Sequence, residues 1–391
     1  MRRIYFFIAL AAAVVLTPLA VVISAPDAAW VKYPNNPIFR PSASGWDNAN
    51  VMAAKIVYEN QYRMWYTANG KTDLRTNIGY ATSPDGISWT RYGTDPVLRY
   101  GSGWESHGVS APSVLHDVGA GLWKMWYAGR DFRGYYNIGY ATSPDGVNWT
   151  KYASNPVLKP SAVGDNDTSV VSPHVLYQAG VYHMWYAGRG DSNQIFYATS
   201  PDGINWSKHI GAVVPLGGDF QWDNGEIAAP SVLWTGARFD MWFQGYSRGT
   251  LQRYIGHAWS PDGISWTKDP LNPVVGLEPG TWDSSSVYYP SVFVTTAGDP
   301  MLWYQGETGE GETKSLGVVL WDPNAVPTPL PTFPTGPTPD PNEPTPTATP
   351  TPIPVRCALT GEECVLLPAI NNGNSVVQKV TKRPTPVRWL R

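Results

Sequence analysis

One phrase is written four times in this chain, and it restricts the fold more than any other feature. Gly79–Arg91 reads GYATSPDGISWTR, and close variants stand at Gly139–Lys151, Ile195–Lys208 and Gly256–Lys268. The aspartates of the four copies are Asp85, Asp145, Asp202 and Asp262, spaced 57 to 60 residues apart. A period of that length signals a repeat architecture. Each copy is an apolar-alternating run, a Ser-Pro-Asp-Gly turn, then a short run around a Trp. Proline presets φ for a turn, aspartate can bond its own backbone, and glycine accepts positive φ, so the turn closes a tight β-hairpin. The aspartate is expected to be a scaffold residue four times over.

The surrounding text repeats in the same order. Trp-acid pairs stand at Trp46-Asp47, Trp104-Glu105, Trp222-Asp223 and Trp282-Asp283. Eight residues after the last three of these Trp comes Pro-Ser-Val, at Pro112, Pro230 and Pro290. An aromatic run follows, as in Met125-Trp126-Tyr127, Met184-Trp185-Tyr186, Met241-Trp242-Phe243 and Leu302-Trp303-Tyr304. These runs are short, apolar or alternating, and bounded by Gly, Pro, Asn or Asp, so all read as strands and none as helices. A unit therefore has four strands. The fourth follows each SPDG turn, but the fifth unit ends at Trp321-Asp322 without one. The missing strand is found at the start, where Trp30-Val31-Lys32-Tyr33 matches Trp149-Thr150-Lys151-Tyr152. The expected fold is all-β: a five-bladed β-propeller of four-stranded antiparallel blades over residues 28–322, with the N-terminal strand closing the fifth blade. Such closure leaves few exposed sheet edges. The period exceeds that of WD40 and kelch repeats.

Outside the repeats the sequence is of different kinds. Met1-Arg2-Arg3 precedes an uncharged run from Ile4 to Ile23, so residues 1–25 are expected to be a signal peptide or N-terminal membrane anchor. Export, to a secreted or cell-surface location with membrane or cell-envelope attachment, is the expected localisation. Residues 323–355 form a Pro/Thr-rich linker, with 12 prolines between Val326 and Val355, extended and without a core of its own. Residues 356–391 are a short tail with Cys357 and Cys364, expected to pair in an exported protein. A net charge of −3 with no basic cluster argues against nucleic acid as a partner. The two cysteines offer no zinc or iron–sulfur spacing, so no metal and no cofactor is expected, and a monomer is.

Taken together, the Trp-Asp, Pro-Ser-Val, Met-Trp-Tyr and SPDG-x-x-Trp phrases resemble the five-bladed β-propeller glycosidases. Those are the arabinanase/β-xylosidase and invertase/levansucrase groups and the related β-mannoside phosphorylases. The resemblance covers about Trp30 to Asp322. It implies a carbohydrate partner and acidic residues from adjacent blades around a central funnel, acting as base or nucleophile, as orienting group and as acid.

Candidates for that funnel stand where the chain departs from its own repeat, since functional sites tend to break local rules. The loop before each first strand and the end of each second strand share one face of an antiparallel blade. The residue after each Trp, or after the Asp165 that replaces it in blade three, reads Asp47, Glu105, Asn166, Asp223 and Asp283, a pattern suited to scaffold. Three residues further on, only Glu226 is acidic, and Asp167 and His107 are the lone examples of their kind at their positions. Glu226 is expected as the acid, Asp167 or Asp47 as the base, and Glu105 as a third carboxylate. Ends of second strands contribute Arg130, Arg189, Gln244 and Gln305-Gly306-Glu307; His107, Arg130, Arg189 and Gln244 are expected to bind substrate hydroxyl or carboxylate groups. Two functions fit: an exported glycoside hydrolase acting on a glycan, or a non-catalytic carbohydrate-binding or cell-surface interaction propeller.

Overall fold

A computed structural model of the protein describes residues 29–161, 168–190, 192–295, 299–309 and 311–325, and the backbone of 355–356 and 363–364. The chain divides into two compact units, 1–336 and 337–391. In the second, Val355–Arg356 pairs antiparallel with Glu363–Cys364. The segment 1–25, most of the linker and the pairing of Cys357 with Cys364 lie outside the described residues.

The first unit opens with β1 (Ala29–Lys32). Blade one is β2 (Asn50–Glu59), β3 (Gln61–Asn69), β4 (Asn77–Ser83) and β5 (Thr90–Arg91). Blade two is β6 (Gly108–Asp117), β7 (Leu122–Arg130), β8 (Tyr136–Ser143) and β9 (Thr150–Lys151). Blade three is β10 (Ser169–Gln178), β11 (Val181–Arg189), β12 (Gln194–Ser200) and β13 (Ser207–Lys208). Blade four is β14 (Glu226–Trp234), β15 (Phe239–Ser247), β16 (Gln252–Ser260) and β17 (Thr267–Lys268). Blade five is β18 (Ser286–Val294), β19 (Pro300–Glu307) and β20 (Ser315–Asp322), completed by β1, which pairs antiparallel with β20 through Trp30↔Trp321 and Lys32↔Val319. The first strands of the blades line up in a ring, with β18 packing back against β2. This is the five-bladed propeller, closed by the N-terminal strand.

Each blade has a neighbour on both faces, so its middle strands are covered on both sides. That is why Met125-Trp126-Tyr127 and its counterparts are unbroken apolar runs. Among the described residues, five apolar clusters fill the five interfaces between neighbouring blades. Trp65, Trp126, Trp185, Trp242 and Trp303 at their centres are 0–2% exposed.

The SPDG turns lock these interfaces. In every copy the Ser Oγ accepts the Gly N–H at 2.8–2.9 Å, and Asp Oδ1 accepts the next two backbone N–H groups at 2.7–2.9 Å. Burial by itself would raise the carboxyls of Asp85 and Asp262, but the N–H and hydroxyl donors together outweigh it and bring both down to about 2. Backbone N–H groups of Asn148 and Asn205 hold Asp145 and Asp202 low as well. The Gly carbonyl takes an indole N–H from the preceding blade: Trp303 to Gly86, Trp65 to Gly146, Trp126 to Gly203 and Trp185 to Gly263, at 2.7–2.8 Å. These glycines have φ of 76–81°. A Cβ on any of them would come within 2.8–3.0 Å of the donor indole ring, so backbone conformation and close approach both demand glycine. Blade five has no SPDG turn, and Trp242 Nε1 is accordingly buried without a partner. Its ring instead packs edge-on against Trp30 of the closing strand, with centroids 6.1 Å apart.

Three outcomes follow. Deleting residues 26–40 should expose the edge of β20 and give an aggregating protein; a soluble deletion with an unchanged Tm would contradict the closure. Trp126→Ala should cost about 3–5 kcal/mol in denaturant unfolding, as for other buried aromatics. A depressed carboxyl stabilises the fold above its unfolded pKa of about 3.9 and loses that contribution as pH falls through its folded value. Acidification from about pH 4 to pH 2 should therefore lower Tm less in the Asp85→Asn/Asp262→Asn double variant than in wild type. Identical slopes would show that these turns do not couple to protonation.

Candidate functional site

The Trp-acid carboxylates all meet the same kind of partners. Asp47 Oδ2 accepts from Arg91 Nε at 2.7 Å and from the Tyr66 hydroxyl at 3.1 Å, and Oδ1 accepts from Ser42. Glu105 pairs with Lys151 at 2.5 Å and Tyr127 at 3.0 Å. Asp283 pairs with Lys32 at 2.6 Å and Tyr304 at 2.8 Å, and Asp223 with Lys268. Each acid is 0–5% exposed. Each ties the entry loop of a blade to its outermost strand, and Asp47, Glu105 and Asp283 also hold a second-strand tyrosine. Breaking such a buried pair leaves an uncompensated charge, so these groups are committed to the scaffold. The oxygens of Asp47 and Glu105 face the outer strands and second-strand tyrosines of their own blades.

Glu226 is placed differently. It opens β14 at the rim, opposite Tyr246 on β15; Tyr246 faces Arg253 on β16; Arg253 bridges to Ser286 on β18, and Ser286 faces Glu307 on β19. One row thus crosses blades four and five with a carboxylate at each end and a guanidinium between. Glu226 Oε1 accepts from Gln244 Nε2 and Oε2 from Asn193 Nδ2, both at 2.5 Å. Arg253 Nε lies 3.7 Å from Oε1. The Arg253 guanidinium stands 5.0 Å over Tyr246 and 5.7 Å over Tyr288. Glu307 is buried against Lys314 Nζ at 2.8 Å. Burial and then the Glu307 charge push the Tyr288 phenol well above its ordinary value.

The donors around Glu226 decide what it can do. A carboxylic acid must donate its proton, whereas both oxygens here receive N–H groups. The two amides fix the orientation of the carboxyl group at the rim.

The rest of the rim is cationic and aromatic. Tyr136 lies beneath the Arg189 guanidinium at 4.7 Å and near Arg130 at 6.0 Å. Arg189 Nε is buried without a partner. The exposed His107 donates its backbone N–H to the Arg130 carbonyl at 2.8 Å, and its ring Nδ1 lies 3.4 Å from the Ser106 hydroxyl. Asp167 lies outside the described residues. Tyr289 comes in from blade five and bonds Ser172 of blade three, across the axis. Burial raises its phenol, and the bond to Ser172 and then the Arg189 charge oppose that rise. The structure therefore groups Glu226 with Gln244, sets Arg130 beside Arg189, and separates both sets from Asp47 and Glu105.

Sequence reasoning missed Asn193, Arg253, Tyr288 and Tyr289. Tyr289 had a signal: its position reads Ala53, Ala111, Ser172 and Ala229 in the other blades. Arg253 had none, because only the register bridge from β16 to β18 brings it beside Ser286. Among the described residues no three His, Cys, Asp or Glu side chains are close enough to hold a metal ion.

A closed ring of five four-stranded blades with a polar, charged rim defines the class: the chain has the five-bladed β-propeller fold that solved glycosidase structures share, and it belongs to one family with the uncharacterized mycobacterial protein named below. Residues 39–215 match the glycosyl hydrolases family 32 N-terminal domain. The uncharacterized protein Rv1502 of Mycobacterium tuberculosis is 31% identical over 230 residues, covering 55% of this chain and 74% of that one. Solved structures share the fold at lower identity. One, from work on mannoside phosphorylases and glycoside hydrolases that target β-1,2 mannosidic linkages in Candida mannan, is 16% identical with a TM-score of 0.61, covering 78% of this chain and 98% of its own. A thermostable family-43 glycoside hydrolase is 17% identical with a TM-score of 0.58, covering 77% and 100%. An α-L-arabinofuranosidase from Podospora anserina in complex with cellotriose is 15% identical with a TM-score of 0.59, covering 76% and 97%.

If the Glu226 cluster is built for function and not for folding, Glu226→Gln should leave Tm within about 1–2 °C of wild type, while Asp47→Asn should lower it clearly, since it breaks a buried ion pair. Equal destabilisation by both would make Glu226 one more scaffold acid.

Proposed function

We propose that the protein is an exported glycoside hydrolase that cleaves a glycan at the rim of the propeller, with Glu226 as the working carboxylate. The observation that carries this is the Glu226 cluster: a partly exposed carboxylate oriented by two amides and flanked by Arg253, at the start of an inner strand. Glycoside cleavage needs one carboxylate to attack the anomeric carbon or activate water and a second group to protonate the leaving oxygen. Glu226 takes the first role. Asp167 is proposed for the second on its sequence position alone. Arg130, Arg189 and His107 would meet sugar hydroxyl or carboxylate groups, with Tyr136 as an apolar face beside them. Gln244 holds Glu226 in place and so acts as a positioning residue. Export rests on the uncharged run Ile4–Ile23 behind Arg2 and Arg3, and the Pro/Thr linker suits display away from a surface.

One observation favours a non-catalytic carbohydrate-binding propeller instead. The carboxylates of Asp47, Glu105, Asp223 and Asp283 are all committed to ion pairs, which leaves few to do chemistry.

Purified full-length protein should be screened on aryl glycosides and plant and fungal polysaccharides. On a natural substrate Glu226→Gln should lower turnover by about 10²–10⁴-fold. A nucleophile or base is needed whatever the leaving group, so an activated aryl glycoside should suffer equally. Sparing of the activated substrate would return Glu226 to the acid role, and full activity of Glu226→Gln would remove it from the reaction. A wild type that binds glycans but cleaves none would establish the binding propeller.

A further inference from the structure

The last residue of the second strand reads Asn69, Arg130, Arg189, Tyr246 and Glu307 from blade one to blade five. Only the adjacent blades two and three carry arginine there. Other arginines of the propeller are matched: Arg63, Arg75, Arg99, Arg133 and Arg238 each have a carboxylate within 2.5–3.4 Å. Arg130 and Arg189 have no carboxylate partner among the described residues. Both instead face the ring of Tyr136, at 6.0 and 4.7 Å from its centre. Arg189 Nε is buried without a hydrogen-bond partner, and a buried donor left unmade is costly. Two guanidinium groups on one ring also repel each other, so this corner of the rim lacks an anion.

The surroundings restrict what that anion can be. The charges of Arg189 and Glu226 both act on the Tyr289 phenol, so the arginines and the Glu226 cluster border one space. Next to Arg130, the loop from β7 to β8 is held rigid: Asp131 Oδ1 accepts the backbone N–H groups of Arg133 and Tyr135 at 2.8 and 3.0 Å, and Oδ2 pairs with the Arg133 guanidinium at 2.9 Å. This loop presents Phe132 and Tyr135 to solvent, 71% and 50% exposed. Exposed aromatic rings on a fixed loop suit the C–H face of a sugar ring, and a small inorganic anion would leave them unused. A guanidinium fork matches the two oxygens of a carboxylate. The nearby Glu226 charge disfavours a group of higher negative charge.

We infer that Arg130 and Arg189 form a subsite for the carboxylate of a uronic acid residue, so that the glycan taken at the rim is an acidic one. The carboxylate supplies the charge that this corner lacks and a partner for the Arg189 fork, while Phe132 and Tyr135 meet neighbouring sugars of the same chain. This rests on the carbohydrate reading of the rim and names its substrate class. Glu226 is no part of the subsite, which allows the two to be tested apart.

Binding of polygalacturonate, alginate and glucuronoxylan to the full-length protein should be measured by calorimetry at fixed ionic strength, each beside its carboxyl-reduced form. Reduction keeps the sugar rings and removes only the charge. At least one acidic polymer should bind about 10–100-fold more tightly than its reduced form, the scale of hydrogen bonds to a charged group. Arg189→Met keeps an apolar stem over Tyr136 and should abolish that preference. Arg189→Lys should restore only part of it, since an ammonium cannot form the fork. Arg130→Met should weaken it in the same direction. Equal binding of acidic and reduced forms, or a preference unchanged in Arg189→Met, would overturn the subsite. So would equally tight binding of dextran sulfate, which would make the corner a general polyanion patch. Acid preference without cleavage would leave the subsite standing and remove the hydrolase reading. Cleavage of a neutral glycan that Glu226→Gln abolishes, with no acid preference, would do the reverse.

Discussion

Four of the five central tryptophans donate the indole N–H to the turn of the next blade, and this contact sets the geometry of the ring. It holds at four of the five interfaces: Trp303 to Gly86, Trp65 to Gly146, Trp126 to Gly203 and Trp185 to Gly263. The magnitudes separate two roles. Burying an aromatic of 150–250 Å² contributes about 4–6 kcal/mol at 25 cal/mol per Å². A hydrogen bond adds about 1 kcal/mol net. Burial therefore stabilises the interface, while the directional bond fixes which turn meets which ring. The fifth interface lacks a turn to receive Trp242, and the strand that starts the chain brings Trp30 there instead. The ring closes because one end of the chain completes the sheet that the other end leaves unfinished.

The same logic explains where charge is tolerated. The Trp-acid carboxylates are buried, but each faces a cation from the outermost strand, and in three blades the hydroxyl of a second-strand tyrosine as well. Their repetition is the sign that they serve the blade. Glu226 has no counterpart in the other blades, and its partners Asn193, Gln244 and Arg253 come from different strands and from a neighbouring blade. A group held by non-repeating partners is under a local requirement that the repeat does not supply. Lys55 and His174 on the axis stand where three other blades have serines that bind the next blade, and His174 Nε2 is buried without a partner.

The inner strands carry the other departure from regular structure. Ala53, Ala111, Ser172, Ala229 and Tyr289 have φ between 42 and 53°, one in each blade. A non-glycine residue in that region is strained, and such strain persists only when the surroundings over-determine it. Here a β-bulge imposes it five times, bending each inner strand where the blades converge. The proline that follows in four blades is tolerated because the ladder is already interrupted. Tyr289 shows the use of such a bend, since it turns a bulky phenol from blade five toward Ser172 of blade three.

The sequence by itself determined the number of blades, their four strands, the turn chemistry and the closing role of Trp30–Tyr33. All of these depend on contacts that recur, and recurrence is visible along a chain. It also singled out Glu226, because a break in a repeat is visible for the same reason. It could not assign Asp47 and Glu105, since an acid beside a tryptophan reads alike whether it faces a funnel or an arginine or lysine 44 to 46 residues away. It could not find Arg253 or give Glu226 its donors. Those depend on the register between strands of different blades, where one residue of slip would turn each side chain to the opposite face. Only the packing of one blade on the next decided that register. The scaffold was therefore legible in the chain, and the chemistry of the rim was settled by neighbours far apart in it.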